Sequence, residues 1–260
     1  MLEPKTTELT NDLIEKIQQA KQFLEQASRV ACFSGAGLSA DSGVATFRDS
    51  ETHALWSQFD PMELASPEGF ADNPRRVIDW YNWRREQLSN VEPNPGHTAL
   101  AKQRDLVQIT QNVDDLLERA GLDTKRILHL HGTITHDHCN HCGYSEAVEL
   151  SQSPSYRFCK KCHQGEMRPS VVWFGESLPD EAWRQADQLC RNIDVLMVVG
   201  TNASVYPAAG LIEIAKRHGA SVVIVNTQAS DASHLADIEL IGKSGVILPS
   251  LLEGLQLNSF

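Results

Sequence analysis

The chain lacks what a membrane-spanning, secreted or nucleic-acid-coating protein needs. It has no run of about 18 apolar residues, so a membrane span is not expected. Basic residues are in deficit, 23 Lys and Arg against 34 Asp and Glu, for a formal net charge of -11. That balance argues against nucleic acid or anionic lipid as a partner, because both need a basic surface to displace counterions. Residues 1–12 lack the apolar core of a secretory signal and the Arg-rich character of a transit peptide. Six cysteines are too few for a disulfide scaffold. With no internal repeat and no low-complexity tract, the expectation is a soluble cytoplasmic protein, its oligomeric state open and a monomer acceptable.

What is present is a core and a rhythm. Hydrophobic residues make up 41% of the 260, enough for one large domain carrying a small insertion. Residues 12–27 place apolar side chains at helical spacing. Short apolar runs at 30–34, 106–110, 127–130, 195–199 and 222–225 read as buried parallel strands, with helical patterns at 180–191 and 208–218. Strands alternating with helices predict an α/β fold with a doubly wound parallel sheet. Two stretches break the rhythm. Residues 44–103, which hold Trp56, Trp80 and Trp83, read as a helical excursion beside the sheet, and residues 135–167, rich in Cys, His, Lys and Gly, read as an inserted module.

That module holds the most specific spacing in the chain. Cys139 and Cys142 are followed, sixteen residues later, by Cys159 and Cys162, the pattern of a zinc ribbon. Four thiolates would fill a tetrahedron and leave no open position, so the predicted Zn2+ is structural. Four free thiols, or a ligand drawn from His136, His138, His141 and His163, are the alternatives.

Directly after the first strand, Gly35-Ala36-Gly37-Leu38-Ser39-Ala40 matches G-x-G-x-x-G/A, in which glycines let the backbone approach a pyrophosphate. No second strand with an acidic residue follows about 20 residues on, so a plain strand-to-helix turn stays open beside dinucleotide binding. Later strand ends carry polar groups: Gln111-Asn112-Val113-Asp114, His131-Gly132-Thr133, Gly200-Thr201-Asn202 and Asn226-Thr227. In an open parallel sheet such ends converge on a ligand crevice, where a histidine can serve as a base.

Together with Ser42-Gly43, Phe47-Arg48, the segment Arg168-Pro169-Ser170-Val171-Val172-Trp173-Phe174-Gly175-Glu176 and Val205-Tyr206-Pro207-Ala208, these motifs in this order resemble the sirtuin family of NAD-dependent protein deacylases. The resemblance implies a Rossmann-like NAD-binding domain over residues 1–134 and 168–260, a zinc-ribbon module over 135–167, and a cleft that takes NAD and an acylated lysine. It places Gly35 in the loop that holds NAD, Ala36, Arg48, Gln111, Asn112 and Asp114 around the nicotinamide and its ribose, and Gly200, Thr201, Asn226 and Thr227 at the adenosine half. His131 would be the base. Val172 and Phe174 would line an acyl-lysine tunnel, and the substrate backbone would add as a strand between Gly175-Glu176 and Val205-Tyr206.

An Asn73-Pro74 start predicts a helix to about residue 88 whose inner stripe includes Val77, Tyr81, Arg84 and Leu88. Tyr81-x-x-Arg84 resembles the pair with which some family members grip succinyl- and malonyl-lysine. An arginine reaching solvent, or paired with Asp79 or Glu86, is the other reading. The sequence departs from the family at Val44-Ala45, at Asn202, and at Asp115, where a carboxylate would stand near the nicotinamide pocket. ADP-ribosyl transfer to protein, and a non-catalytic zinc and NAD sensor, are the alternative functions.

Overall fold

The computed structural model describes residues 10–46 and 59–259. In chain order its strands are Val30–Ser34 (β1), Val107–Thr110 (β2), Ile127–His129 (β3), Gly132–Cys139 (β4), Ser145–Ala147 (β5), Met167–Val171 (β6), Val195–Val199 (β7), Ser221–Asn226 (β8) and Ile238–Ile241 (β9). The α-helices are Asn11–Gln26 (α1), Gly37–Ala40 (α2), Pro61–Leu64 (α3), Pro67–Asp72 (α4), Pro74–Ser89 (α5), Pro95–Ala101 (α6), Leu116–Arg119 (α7), Asp180–Cys190 (α8), Gly210–Arg217 (α9) and Ser244–Leu252 (α10).

Among the described residues six strands form one parallel sheet, in the order β3-β2-β1-β7-β8-β9. Alternate side chains of β1, β7 and β8 enter opposite cores. Val30 and Cys32 face Leu24 of α1, Leu100 of α6 and Leu248 of α10, whereas Ala31 and Phe33 face Leu189 of α8 and Ile212 of α9. Covering both faces explains why the central strands read as unbroken apolar runs. The sixth strand, β9, was not expected from the sequence. It lies at the sheet edge, where Glu239 and Ile241 are only partly covered, so it never forms a continuous apolar stretch.

The chain winds from β1 outward to β3, then returns to β7 on the other side of β1. This reversal is a topological switch point, and it opens a crevice at the carboxyl ends of β1 and β7. The helical excursion supplies α3 to α6. Its α5 starts as expected, with the Asn73 side chain capping the Arg76 N–H and Pro74 in the first turn. The buried face of α5 packs with Val113, Ile134, Val171 and Trp173 into a third core, away from the sheet faces.

A separate antiparallel sheet, β5-β4-β6, carries the cysteines. Its own apolar core is small, centred on Cys139, Cys159 and Met167. A buried ion pair ties it to the excursion. Arg85 of α5, fully buried, donates Nε–H to the Ile134 carbonyl at 2.8 Å and Nη2–H to Asp137 Oδ1 at 2.7 Å. The other Asp137 oxygen accepts from Arg157 at 2.8 Å. Removing one partner of such a pair strands a buried charge at a cost of about 3 kcal/mol or more. Asp137→Asn is therefore expected to lower Tm by roughly 6 to 12 °C. Thermal unfolding checks this, and an unchanged Tm would show that the pair does not hold the two parts together.

Candidate functional site

The carboxyl ends of β1, β2, β7 and β8 open into one cleft of about 710 Å³. Glycines make its floor possible. A Cβ on Gly35 would stand 2.8 Å from Thr201 Cβ, and one on Gly37 would stand 2.7 Å from Gly200 Cα. Gly200 holds φ at +61°, and a Cβ there would collide with the Leu38 nitrogen. The Gly37 N–H donates to the Gly200 carbonyl at 2.7 Å. These glycines, expected to make room for a pyrophosphate, first of all let the β1 and β7 loops meet backbone to backbone.

Gly35, Ala36, Gln111, Asn112 and His131 line this cleft, as do Gly200, Thr201, Asn226 and Thr227. Tyr81, Arg84, Val172, Phe174, Gly175 and Val205 line it too. Asp114 does not. It lines an adjoining cavity of about 140 Å³, shared with Ala36, Arg84 and Asn112. Arg48 lies outside the described residues. Asp115 borders neither cavity, and its carboxylate faces Arg119 at 3.9 Å. The carboxylate expected near the nicotinamide pocket thus lines neither cavity, because Asp115 stands at the N-cap of α7 and faces forward along that helix to Arg119.

A closed hydrogen-bond network holds the wall between the two cavities. The Asn94 N–H donates to His97 Nδ1 at 3.2 Å, which places the ring proton on Nε2, 3.3 Å from Ser39 Oγ. Burial holds the His97 pKa down to about 4, so the ring is neutral. Ser39 also accepts from Asn112 Nδ2 at 3.1 Å and donates to Asp114 Oδ2 at 2.9 Å. Both lone pairs and the proton of the hydroxyl are then used. Burial raises the Asp114 carboxyl above its ordinary value, opposed by the bonds from Leu116 and Ser39. Across the cleft, Thr201 Oγ accepts from Gln111 Nε2 at 2.9 Å and from the Ala203 N–H at 3.1 Å, and Asn226 Nδ2 donates to the Thr201 carbonyl at 3.1 Å.

Two histidines flank the turn after β3, and their surroundings set them apart. His131 Nδ1 lies 3.1 Å from the Gln111 carbonyl, an acceptor only, so Nδ1 carries the proton and Nε2 keeps its lone pair. Burial depresses its pKa below the ordinary 6.5, so it is neutral at pH 7. His129 contacts two acceptors, the Asn112 carbonyl at 3.2 Å and Glu118 Oε1 at 2.8 Å. Burial pushes its pKa down, but the Glu118 carboxylate more than offsets this and raises it. One imidazole thus keeps a free lone pair while its neighbour, set between two acceptors, is shifted toward the protonated form and ties the loop bearing Asn112 to Glu118.

Comparison with known proteins agrees with this geometry. Residues 35–207 match the model of the Sir2 family, and a deacylase of Mycobacterium tuberculosis, named NAD-dependent protein deacylase, is 46% identical over 234 residues, covering 87% of this chain and 98% of its own.

The chain belongs to the Sir2 family.

NAD-dependent protein deacylase 1 of Pseudomonas aeruginosa is similar at 43% identity, covering 89% of this Sir2 chain and 96% of its own. Among solved structures, a Sir2 homologue mutant in complex with ADP-ribose superposes with a TM-score of 0.85 at 37% identity, over 90% of this chain and 94% of that one. A Sir2 homolog–NAD complex gives 0.81 at 37% identity, over 94% and 93%.

In this Sir2 chain the four cysteines converge as their spacing predicts. Their sulfurs all lie within 4.8 Å of one another, with Cys139 to Cys162 at 3.6 Å and Cys142 to Cys159 at 3.8 Å. Zinc–sulfur bonds of about 2.3 Å give a tetrahedron with edges of about 3.8 Å, so the cluster fits a zinc ion and is too open for disulfides. Backbone N–H groups of His141 and Cys142 point at Cys139 Sγ, Lys161 N–H at Cys159 Sγ, and Gly165 N–H at Cys162 Sγ. The Gly165 and Gln164 amides draw the Cys162 thiol down to about 6, toward the thiolate a metal needs. His136, His138, His141 and His163 stand outside the cluster among the described residues.

Ser39 and His97 escaped sequence reading as site residues because neither sits at a strand end within a recognised polar run. Asn94-Pro95-Gly96-His97, a capping box at the start of α6, is the signal that finds His97. The purified protein is expected to hold one zinc per chain and Cys159→Ser to lose it along with several degrees of Tm, as metal analysis and calorimetry would read. Full zinc in that variant would exclude Cys159 as a ligand.

Proposed function

We propose that this Sir2 chain is an NAD-dependent protein lysine deacylase of the cytoplasm, releasing nicotinamide and O-acyl-ADP-ribose, and that it removes acidic acyl groups such as succinyl and malonyl besides acetyl. The observation that carries the reading is His131: a neutral imidazole whose Nε2 has no hydrogen-bond partner among the described residues, in the cleft where Gln111, Asn112, Thr201 and Asn226 also face. Similarity to the NAD-dependent protein deacylases of Mycobacterium tuberculosis and Pseudomonas aeruginosa supports the deacylase reading. Two more distant Sir2 structures hold a myristoylated histone peptide and a deacetylated p53 peptide, which supports a protein lysine substrate.

The co-substrate NAD, when bound, supplies the ribose carbon that receives the acyl group as nicotinamide departs. Ala36, Arg48, Gln111, Asn112 and Asp114 surround the nicotinamide and its ribose in this reading, Gly35 belongs to the loop that holds the cofactor, and Gly200, Thr201, Asn226 and Thr227 take the adenosine half. The Nε2 lone pair of His131 takes a proton from a sugar hydroxyl, while the Gln111 carbonyl holds the other ring proton in place. Val172 and Phe174 exclude water from the acyl-lysine. The rim at Gly175 and Val205 offers backbone groups to an added peptide strand.

The acidic-acyl reading rests on α5. Tyr81 is buried, and Arg84 turns toward it, its guanidinium carbon 5.6 Å from the Tyr81 ring centre and 5.0 Å from that of Trp80. Asp79 and Glu86, the partners considered for Arg84, lie exposed on the outer face. Burial lowers the guanidinium's pKa, with Tyr81 and Asp114 pulling it back, and an arginine stays charged throughout. A cation and a phenol at the end of an apolar tunnel fit a distal carboxylate.

His131→Gln should leave fold and zinc intact and cut the deacylation rate by about 10² to 10⁴. A rate unchanged in peptide assays would remove His131 from the chemistry. Because the folded pKa of His131 is depressed, the base stays unprotonated below 6.5, and the acid limb of kcat/KM should lie below that value. A limb above 6.5 would contradict it. Arg84→Met should lower desuccinylation about 10- to 100-fold more than deacetylation, measured on matched peptides. Mass analysis of peptide and nucleotide products would overturn the deacylase reading if the peptide gained ADP-ribose, or if NAD bound and no nicotinamide left.

A further inference from the structure

Between the acyl pocket and the peptide rim lies a buried indole that the deacylase reading leaves without a task. Trp173 is 2% exposed and borders the cleft. Its Nε1–H points at Tyr81 Oη, 2.9 Å away. An indole nitrogen can only donate, so in this contact the phenol oxygen accepts. Among the described residues nothing accepts the proton of Tyr81 itself.

The indole is held on its other sides. The Arg168 guanidinium carbon sits 3.5 Å from the Trp173 ring centre. Arg168 forms two bonds to Glu176, at 2.7 and 2.8 Å, and Glu176 Oε2 also accepts the Trp173 backbone N–H at 2.8 Å. Glu176 belongs to the rim that follows Phe174 and Gly175. The same clamp that shapes the rim therefore fixes where the indole N–H points.

A phenol O–H prefers the plane of its ring and has two orientations there. The indole hydrogen occupies the region facing one of them, leaving the other for the proton of Tyr81, which itself lines the cleft. Resting on the reading that Tyr81 and Arg84 receive an acidic acyl group, we infer that Trp173 is a positioning residue for acyl selectivity, which turns Tyr81 into an obligate hydrogen-bond donor. Beside a guanidinium, itself only a donor, such a phenol accepts an acyl end that has lone pairs and no protons. A carboxylate meets that demand; a methyl group gains nothing from it, and a carboxamide N–H₂ faces donors only.

The test compares succinyl-lysine and acetyl-lysine peptides of one sequence, with NAD, on the intact zinc-loaded enzyme. Trp173→Phe should lower the succinyl-to-acetyl ratio of kcat/KM by about three- to tenfold, mainly through KM, the size expected for one hydrogen bond. In a Tyr81→Phe background the same change should leave the ratio where it is, because the hydroxyl it acts on is gone. Replacing Trp173 by benzothienylalanine, which keeps the shape and lacks the N–H, should reproduce the effect, and it serves if Trp173→Phe proves unstable. An unchanged ratio in the isostere, or equal ratio changes with and without the Tyr81 hydroxyl, would overturn the proposal. If Arg84→Met also leaves the ratio unchanged, the acidic-acyl reading falls with it; if Arg84→Met alone shifts the ratio, only the role of Trp173 falls.

Discussion

The hydrogen bond from His131 Nδ1 to the Gln111 carbonyl sets the state of the imidazole that lines this cleft. It exists because β2 and β3 are adjacent parallel strands whose ends leave the sheet at the same level, with Leu130 N–H bonded to the Thr110 carbonyl just before the turn. It fixes one tautomer, and burial keeps the ring neutral, so a base faces the cleft without a neighbouring carboxylate to orient it. The carbonyl of His131 in turn accepts the Val172 N–H at 2.9 Å, joining the imidazole to a segment that also lines the cleft. Position, tautomer and cleft wall thus depend on two backbone hydrogen bonds and the one ring–carbonyl bond between them.

Around that bond the protein separates charged from neutral groups over short distances. His129 and His131 alternate on one stretch of chain, yet the first meets a carboxylate and the second only a carbonyl, and their pKa values move in opposite directions. His97 is neutral as well, because burial holds its pKa down to about 4, and its two ring nitrogens meet one donor and one hydroxyl. Such satisfaction matters more than the strength of any one bond, since an unpaired polar group in this wall would cost about 1 to 3 kcal/mol. The zinc cluster sits apart from all of this. Its part is to hold β4 and β6 together where apolar burial is too small to do so, and those strands place Arg168 and Trp173.

Features with a local cause were legible in the sequence. The two cysteine pairs, the Asn73-Pro74 helix start, the apolar runs of the central strands and the polar groups at their ends each follow from spacing within a few residues. What stayed hidden depends on partners distant in the chain. The glycines at 35 and 37 answer to Gly200 across the sheet, Ser39 to His97, and Arg85 to Asp137. Asp115 misled because its position in the sequence, beside Asp114, says nothing about which way α7 turns its carboxylate. Trp173 stood in a quoted motif without a task because its role lies in the direction of one N–H bond, which no pattern of residue types encodes.

The claim most open to direct measurement is the state of the His131 ring. Nitrogen-15 NMR of histidine-labelled protein, with His131→Gln used to assign the signal, reads tautomer and protonation together. The account predicts a neutral ring at pH 7 with the proton on Nδ1, titrating below 6.5. A proton on Nε2 of the neutral ring, or an imidazolium persisting at pH 7, would contradict it.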